Sequence, residues 1–147
     1  MQVQSKPTLY EQDLAAWFED TITKLRARQF DTIDLDSLIE EIEGLAGRDR
    51  RELKNRLNVL LAHILKRLYI NFPENYRGWE LTIREQRNQV SDLLEQSPSL
   101  GTYWIENFSV VWQRALSDVH AEYPSAPFPE EWQFSSDIEA LLTETFW

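Results

Sequence analysis

The chain has 147 residues, 42% hydrophobic and 27% charged, with a formal net charge of −10. That length fits one domain and buries roughly two-thirds of its unfolded surface, so a core needs no covalent staples. There is no cysteine, which excludes a disulfide scaffold, zinc ribbons and thiol catalysis. No apolar run approaches the roughly 20 residues of a membrane span. Met1 to Pro7 hold no apolar signal core, so the expected localisation is cytoplasmic. Only four glycines argue against phosphate-cradling loops and turn-rich all-β folds. Six tryptophans among 18 aromatic residues argue against disorder. The expected fold is all-α: one domain over 1–147, a bundle of about five main helices plus a short C-terminal helix, with the 49–70 helix central.

The charge is uneven. Residues 1–47 carry 10 acidic and 4 basic groups, residues 48–70 carry 2 and 7, and residues 71–147 carry 13 and 4. The three segments are therefore net −6, +5 and −9. Nearly half the cations sit in one 23-residue segment. Threaded between acidic neighbours, they neutralise the fold internally. Facing outward, they address a partner.

Thr8 with Glu11 has capping-box spacing and opens the first helix. Leu14, Trp17, Phe18, Thr21, Ile22 and Leu25 recur on one face. That helix frays near Arg28, and Phe30 is expected to fold back onto the core. Asp34 or Asp36 caps a second helix, with Leu38, Ile42 and Leu45 as its stripe. Gly44 and Gly47 weaken it, and Gly47 is a candidate C-cap. Asp49 then opens a third helix, although positions 38, 42, 45, 49, 53, 57 and 60 keep helical phase across both glycines. One long, locally weakened helix is the alternative.

From Asp49 to about Ile70, Leu53, Leu57, Leu60, Leu61, Ile64 and Leu68 form a stripe, widened by Val59, Ala62 and Leu65. A helix this apolar at mid-length is the central one of a bundle. Glu52, Arg56, His63 and Arg67 share one edge of the stripe at 100° per residue. Phe72-Pro73-Glu74-Asn75 breaks the chain. A fourth helix runs from about Tyr76 or Arg77 to Gln96. Its buried face is Trp79, Ile83, Val90, Leu93 and Leu94, with Gln86 inside that face and Thr82 and Arg87 at its margins. Ser97-Pro98 stops and restarts the helix. A fifth helix reaches about Tyr123 on Leu100, Trp104, Phe108, Val111 and Ala115, widened by Ile105, Trp112 and Val119. Pro124, Pro127 and Pro129 end regular structure before a short helix near Asp137 to Leu142.

Tyr10-Glu11-Gln12-Asp13 with Trp17, Leu38-Ile39-Glu40-Glu41-Ile42-Glu43, Arg50-Arg51-Glu52-Leu53, Arg56-Leu57 and Leu60-Leu61-Ala62-His63-Ile64-Leu65-Lys66 make a joint signature. Trp79, Thr82-Ile83, Gln86-Arg87 and Ser97-Pro98-Ser99-Leu100 complete it. Together these resemble the cyanobacterial domain-of-unknown-function family twenty-nine over most of the chain. Arg77-Gly78-Trp79 departs from the serine expected before the tryptophan. The resemblance implies a helical domain and no activity.

The enzymatic reading rests on Arg56 and His63. They lie seven residues, two turns, apart and project from one face about 10.5 Å apart along the axis. Histidine moves a proton near neutrality, and arginine holds a developing phosphorane by paired hydrogen bonds. Arginine, then histidine at this spacing, resembles the motif of the all-helical HEPN ribonucleases. Leu57 departs from the polar residue those enzymes carry after the arginine. The alternative is structural: Arg56 pairs with Glu52 or a helix-two carboxylate, and His63 bonds at a helix interface.

For a metal, Glu40, Glu41, Glu43 and His63 offer ligands, but the Glu-x-x-His of di-iron bundles is absent. No metal and no cofactor is assigned. Glu40 and Glu41 are expected to partner Arg50, Arg51 or Arg56. Nucleic-acid binding would use Arg48, Arg50, Arg51 and Lys54, with Lys66 and Arg67, and Tyr69 or Tyr76 for stacking. The net charge opposes that encounter. A buried Gln86 must be hydrogen-bonded, so Glu40, Glu41, Glu52, Thr82, Gln86 and Arg87 are the candidate binding or buried polar network. Trp132 and Trp147 either cap an open bundle end or feed a partner surface. The leading expectation is a non-enzymatic binding or interaction module, with an unidentified protein partner or a second copy as dimer.

Overall fold

The computed structural model describes residues 6–147. The reading of Met1 to Pro7 as lacking a signal core falls largely outside this range. The described residues form six α-helices and no strand, as an all-α fold requires. No helix among them is long and apolar enough to cross a membrane.

Thr8 caps α1 (Leu9–Gln12), its Oγ1 accepting from the Glu11 amide at 3.3 Å. The helix does not continue from there, and the expected single first helix is split. Asp13 adopts extended backbone, and its carboxylate accepts from the Ala16 amide at 3.0 Å to cap α2 (Leu14–Arg26). An aspartate that satisfies a free helical N–H starts a helix more readily than it sits inside one. α2 ends in a Schellman turn: the Gln29 amide donates to the Lys24 carbonyl and the Arg28 amide to that of Leu25. Arg28 takes the left-handed position, φ 57°, that glycine normally fills. A 3-10 turn, Phe30–Thr32, leads to Asp34. Asp34 caps the next helix through the Ser37 amide and hydroxyl, and these two hydrogen bonds hold its carboxyl below the usual range.

That helix, α3, runs unbroken over Leu35–Tyr69, so the separate second and third helices are one. Two interior glycines cost about 1 kcal/mol each relative to alanine, which the packing of its later turns outweighs. By backbone contact the chain forms two compact units, one ending at Ala46 and one from Gly47 to Trp147.

In the first unit, Trp17, Thr21 and Ile33 are buried. Tyr10 meets Trp17 edge-on at 4.8 Å and donates its hydroxyl to Glu41 at 2.6 Å. That bond, with the nearby Glu40 and Glu41 charges, pushes the phenol up to about 12. The rest of the expected face is not buried. Leu14, Phe18, Ile22 and Leu25 on α2 are exposed, as are Ile42 and Leu45 on α3. Phe30, expected on the core, is exposed too. Periodicity identifies an apolar face, but burial needs an element to cover it. Among the described residues of this unit, only the four-residue α1 and the 3-10 turn pack substantially on α2.

The second unit holds the core. Leu57, Leu60, Leu61, Ile64 and Leu65 of α3 are at most 1% exposed, so this half of α3 is central. Around it stand α4 (Pro73–Gln96), α5 (Leu100–Glu122) and α6 (Ile138–Thr143). α4 starts three or four residues earlier than its periodicity indicates, because Pro73 occupies the first turn, where a missing N–H costs nothing. Trp79, Ile83, Gln86, Val90 and Leu93 are buried as expected. On α5 only Ile105 departs, at 74% exposed. The proline-rich stretch is pinned by core tryptophans: the Trp112 indole donates to the Glu130 carbonyl at 3.1 Å and Trp104 to that of Ser136 at 3.3 Å. Trp132 packs edge-on against Trp112 and Phe146. Trp132 and Trp147 are half-buried against the core.

Candidate functional site

Seven cations enter the second unit on α3, and their surroundings divide them. Lys66, 9% exposed, pairs with Glu122 of α5 at 2.8 Å. Arg67 pairs with Glu80 of α4 at 3.0 Å and lies over the Tyr76 ring at 3.8 Å, adding a cation–π contact. Arg56 pairs with Glu52 one turn back at 3.5 Å. Internal neutralisation therefore holds for the later turns of the helix. It does not extend to Arg48, Arg50, Arg51 and Lys54, which make no ion pair with the described carboxylates of this unit. The register explains the change. α3 and α4 run antiparallel, with Arg67 opposite Glu80, and further up Arg56 meets a neutral amide, Gln86, in place of a carboxylate.

At that point the two helices frame a cleft of about 420 Å³, a volume typical of small-ligand sites. From α3 it is lined by Arg48, Arg51, Glu52, Asn55, Arg56 and Val59, and from α4 by Gln86. The α3 residues fall at spacings of three and four, so they share one helix face. Three guanidinium groups and one carboxylate give the lining a formal +2 within a chain of net −10. Gln86 is 9% exposed, and its Oε1 accepts from Arg56 Nη1 at 3.4 Å. Gln86 itself lines the cleft. Arg51 lies against Gly47: a Cβ there would come within 3.1 Å of Arg51 Nη1. The mid-helix glycine thus leaves room for a cleft arginine.

The expected convergence of Arg56 and His63 is not what the structure shows. Each is captured by a partner four residues before it. Arg56 reaches Glu52 and Gln86 at the cleft. His63 turns Nδ1 to the Val59 carbonyl at 2.8 Å. A carbonyl only accepts, so Nδ1 carries the proton. His63 does not line the cleft. Burial, with Lys66 nearby, holds the imidazole below its usual range, against the opposing pull of the Val59 bond. The cleft lining therefore combines three guanidinium groups, two amides and the Glu52 carboxylate, and His63 is not part of it.

The candidate polar network separates into four places. Glu52, Arg56 and Gln86 come together. Thr82 returns its hydroxyl to the Gly78 carbonyl of its own helix at 3.1 Å. Arg87 leaves the cleft altogether: Nε donates to the Leu141 carbonyl at 2.8 Å and Nη2 to that of Glu144, tying α6 and the following strand of chain to α4. Burial lowers its pKa. Glu40 and Glu41 belong to the first unit, where Glu41 accepts from the Tyr10 hydroxyl. Arg50 lines a different depression, beside Ser99, Thr102 and Tyr103 at the start of α5. Of the cations offered for nucleic acid, Arg48 and Arg51 thus line one depression and Arg50 another, while Lys66 and Arg67 are taken up in ion pairs. Among the described residues no three histidine, aspartate or glutamate side chains are placed to hold a metal ion.

Sequence reasoning missed Asn55 and Val59 as lining residues. The spacing 48, 52, 55, 59 would have found them, had the face it defines been followed across to Gln86.

The sequence profile of the domain of unknown function DUF29 matches residues 9–147. No curated protein and no solved structure matches the chain.

Proposed function

We propose that this chain, which belongs to the domain of unknown function DUF29 family, is a non-enzymatic binding module for a small phosphate-bearing molecule with a polar body. The observation that carries this reading is the α3–α4 cleft itself: three arginines, two carboxamides and one carboxylate around about 420 Å³ in an otherwise acidic chain. Guanidinium groups bind phosphate through paired, charge-assisted hydrogen bonds. Arg48 and Arg51 bring charge that no carboxylate of their own unit neutralises.

The rest of the lining narrows the ligand class. It holds no aromatic ring on which a base would stack, and Val59 is its one aliphatic side chain. Asn55 and Gln86 instead offer amide donors and acceptors suited to hydroxyl groups. A phosphorylated sugar or polyol fits that chemistry better than a nucleotide. Local positive charge in an acidic surround also favours a small anion over a polyanion, which the whole-chain field repels.

The test is a thermal-stability screen of the full chain with inorganic phosphate, a hexose phosphate, a nucleoside monophosphate and single-stranded RNA. A ligand that binds only the folded state raises the melting temperature with concentration. The expected order places hexose phosphate first, and the shift disappears in Arg48→Gln/Arg51→Gln. No shift with any phosphate, or a shift unchanged in the double variant, overturns the reading. A shift led by RNA replaces the small ligand with nucleic acid.

A further inference from the structure

We infer that the first unit is a self-association surface, its occupant the first unit of a second copy of this chain. The inference is independent of the cleft and rests on residues before Gly47 alone. Among the described residues, ten of the fifteen exposed large apolar side chains fall in this unit. Eight of them form two stripes. On α2 they are Leu14, Phe18, Ile22 and Leu25. On α3 they are Leu35, Ile39, Ile42 and Leu45. Each is between 37% and 57% exposed.

Three features say what covers them. The first is area. Summed over both stripes, eight half-exposed side chains of this size present on the order of 700 Å² of apolar surface, close to the roughly 800 Å² that each partner gives a standard stable interface when a partner covers both. The second is spacing. Leu35, Ile39, Ile42 and Leu45 advance by four, three and three, and the α2 set by four, four and three. Such steps, averaging near 3.5, are those of helices that pack lengthwise on other helices. A small ligand needs no stripe of three turns; another helix does.

The third feature is where the charge lies. The unit is acidic, and a basic partner would be drawn by carboxylates bordering the stripes. At 100° per residue, Asp36, Glu40, Glu41 and Glu43 project about 95° or more round α3 from the centre of its stripe. Glu19 and Asp20 stand similarly away from that of α2. Glu41 is further engaged by Tyr10, and Asp20 by Lys24 at 2.8 Å. Two copies can therefore bring stripe to stripe about a two-fold axis while their carboxylates stay in water, the self-complementary geometry of an isologous dimer. A basic helix would gain little at the stripe itself.

The experiment measures mass in solution for the full chain by sedimentation equilibrium over a dilution series at low and high salt. The wild type is expected to dimerise, and more tightly at high salt, because salt screens the mutual repulsion of two acidic units. Ile39→Glu/Ile42→Glu is expected to weaken the dimer about tenfold or more, with the helical circular dichroism retained because both positions are exposed. Phe18→Glu on the other helix gives a second, independent reading. A wild type that stays monomeric at every concentration overturns the inference, and so does a dimer indifferent to all three substitutions. A dimer loosened by salt overturns it as well, since the contact is then made by opposite charges.

Discussion

Arg56 on α3 donates through Nη1 to Oε1 of Gln86 on α4 across 3.4 Å, so a cation meets a neutral amide where the neighbouring register places an ion pair. The choice matters for binding. A carboxylate at position 86 would neutralise Arg56 and close the cleft to anions. Gln86→Glu puts a carboxylate beside Arg56 at a position only 9% exposed, so its desolvation offsets the new ion pair and stability should change by under about 1 kcal/mol, while phosphate binding weakens about tenfold. Gln86→Leu leaves Arg56 with Glu52 and solvent, so it should change stability by no more than about 1 kcal/mol. Denaturant titration beside phosphate titration separates the two effects.

Two glycines three residues apart in α3 predict different outcomes for binding. A Cβ at Gly44 meets nothing within 4 Å, so Gly44→Ala should stabilise by about 0.5–1 kcal/mol and leave anion affinity unchanged. Gly47→Ala brings a methyl group to 3.1 Å from Arg51 Nη1. It should recover part of the same helix propensity and displace the guanidinium, weakening phosphate binding. Melting temperature and affinity, measured on both variants, check the pair.

His63 sets an acid limit on stability. Its folded pKa lies below the usual imidazole value because burial disfavours the charged ring. The unfolded chain then binds the proton more readily than the folded one. Its contribution is complete above about pH 6.5, the unfolded value, and is lost as pH falls below that toward the depressed folded value. His63→Gln should flatten this part of the stability profile. Urea midpoints across mildly acidic pH, wild type against variant, measure it. Phosphate-monoester cleavage is expected from neither protein.

Arg87 predicts a local effect. It supplies hydrogen bonds to the carbonyls of Leu141 and Glu144, and Arg87→Met removes both while keeping the aliphatic stem. Losing one charge-assisted bond to a part-buried carbonyl and one to an exposed carbonyl costs roughly 1.5–3 kcal/mol. The loss should appear first as faster amide exchange in α6, with α4 and α5 little changed. Uniform acceleration throughout the second unit would contradict this placement.

What the sequence made legible follows from which interactions are local. The helical faces of α4 and α5, the Ser97-Pro98 junction, the buried Gln86 and the Glu52–Arg56 pair all lie within a turn or two of their determinants. Continuity of α3 was not decidable from Gly44 and Gly47, because both glycines preserve the phase of the leucines around them. The split at Asp13 was hidden by a good capping box just before it. The stripes of α2 and early α3 read as core because periodicity reports a face and not its cover. For the cleft, the residue types on α3 were visible, but their meeting with Gln86 depends on an interhelical register set thirty residues away.

The central claim is that the α3–α4 cleft holds a phosphate-bearing small molecule through Arg48, Arg51 and Arg56. Calorimetric titration of a hexose phosphate into the full chain, repeated with Arg48→Gln/Arg51→Gln, tests it most directly. Saturable binding by the wild type that is lost in the variant, with the fold intact by circular dichroism, is the predicted result. No binding by the wild type, or equal binding by both, would contradict it.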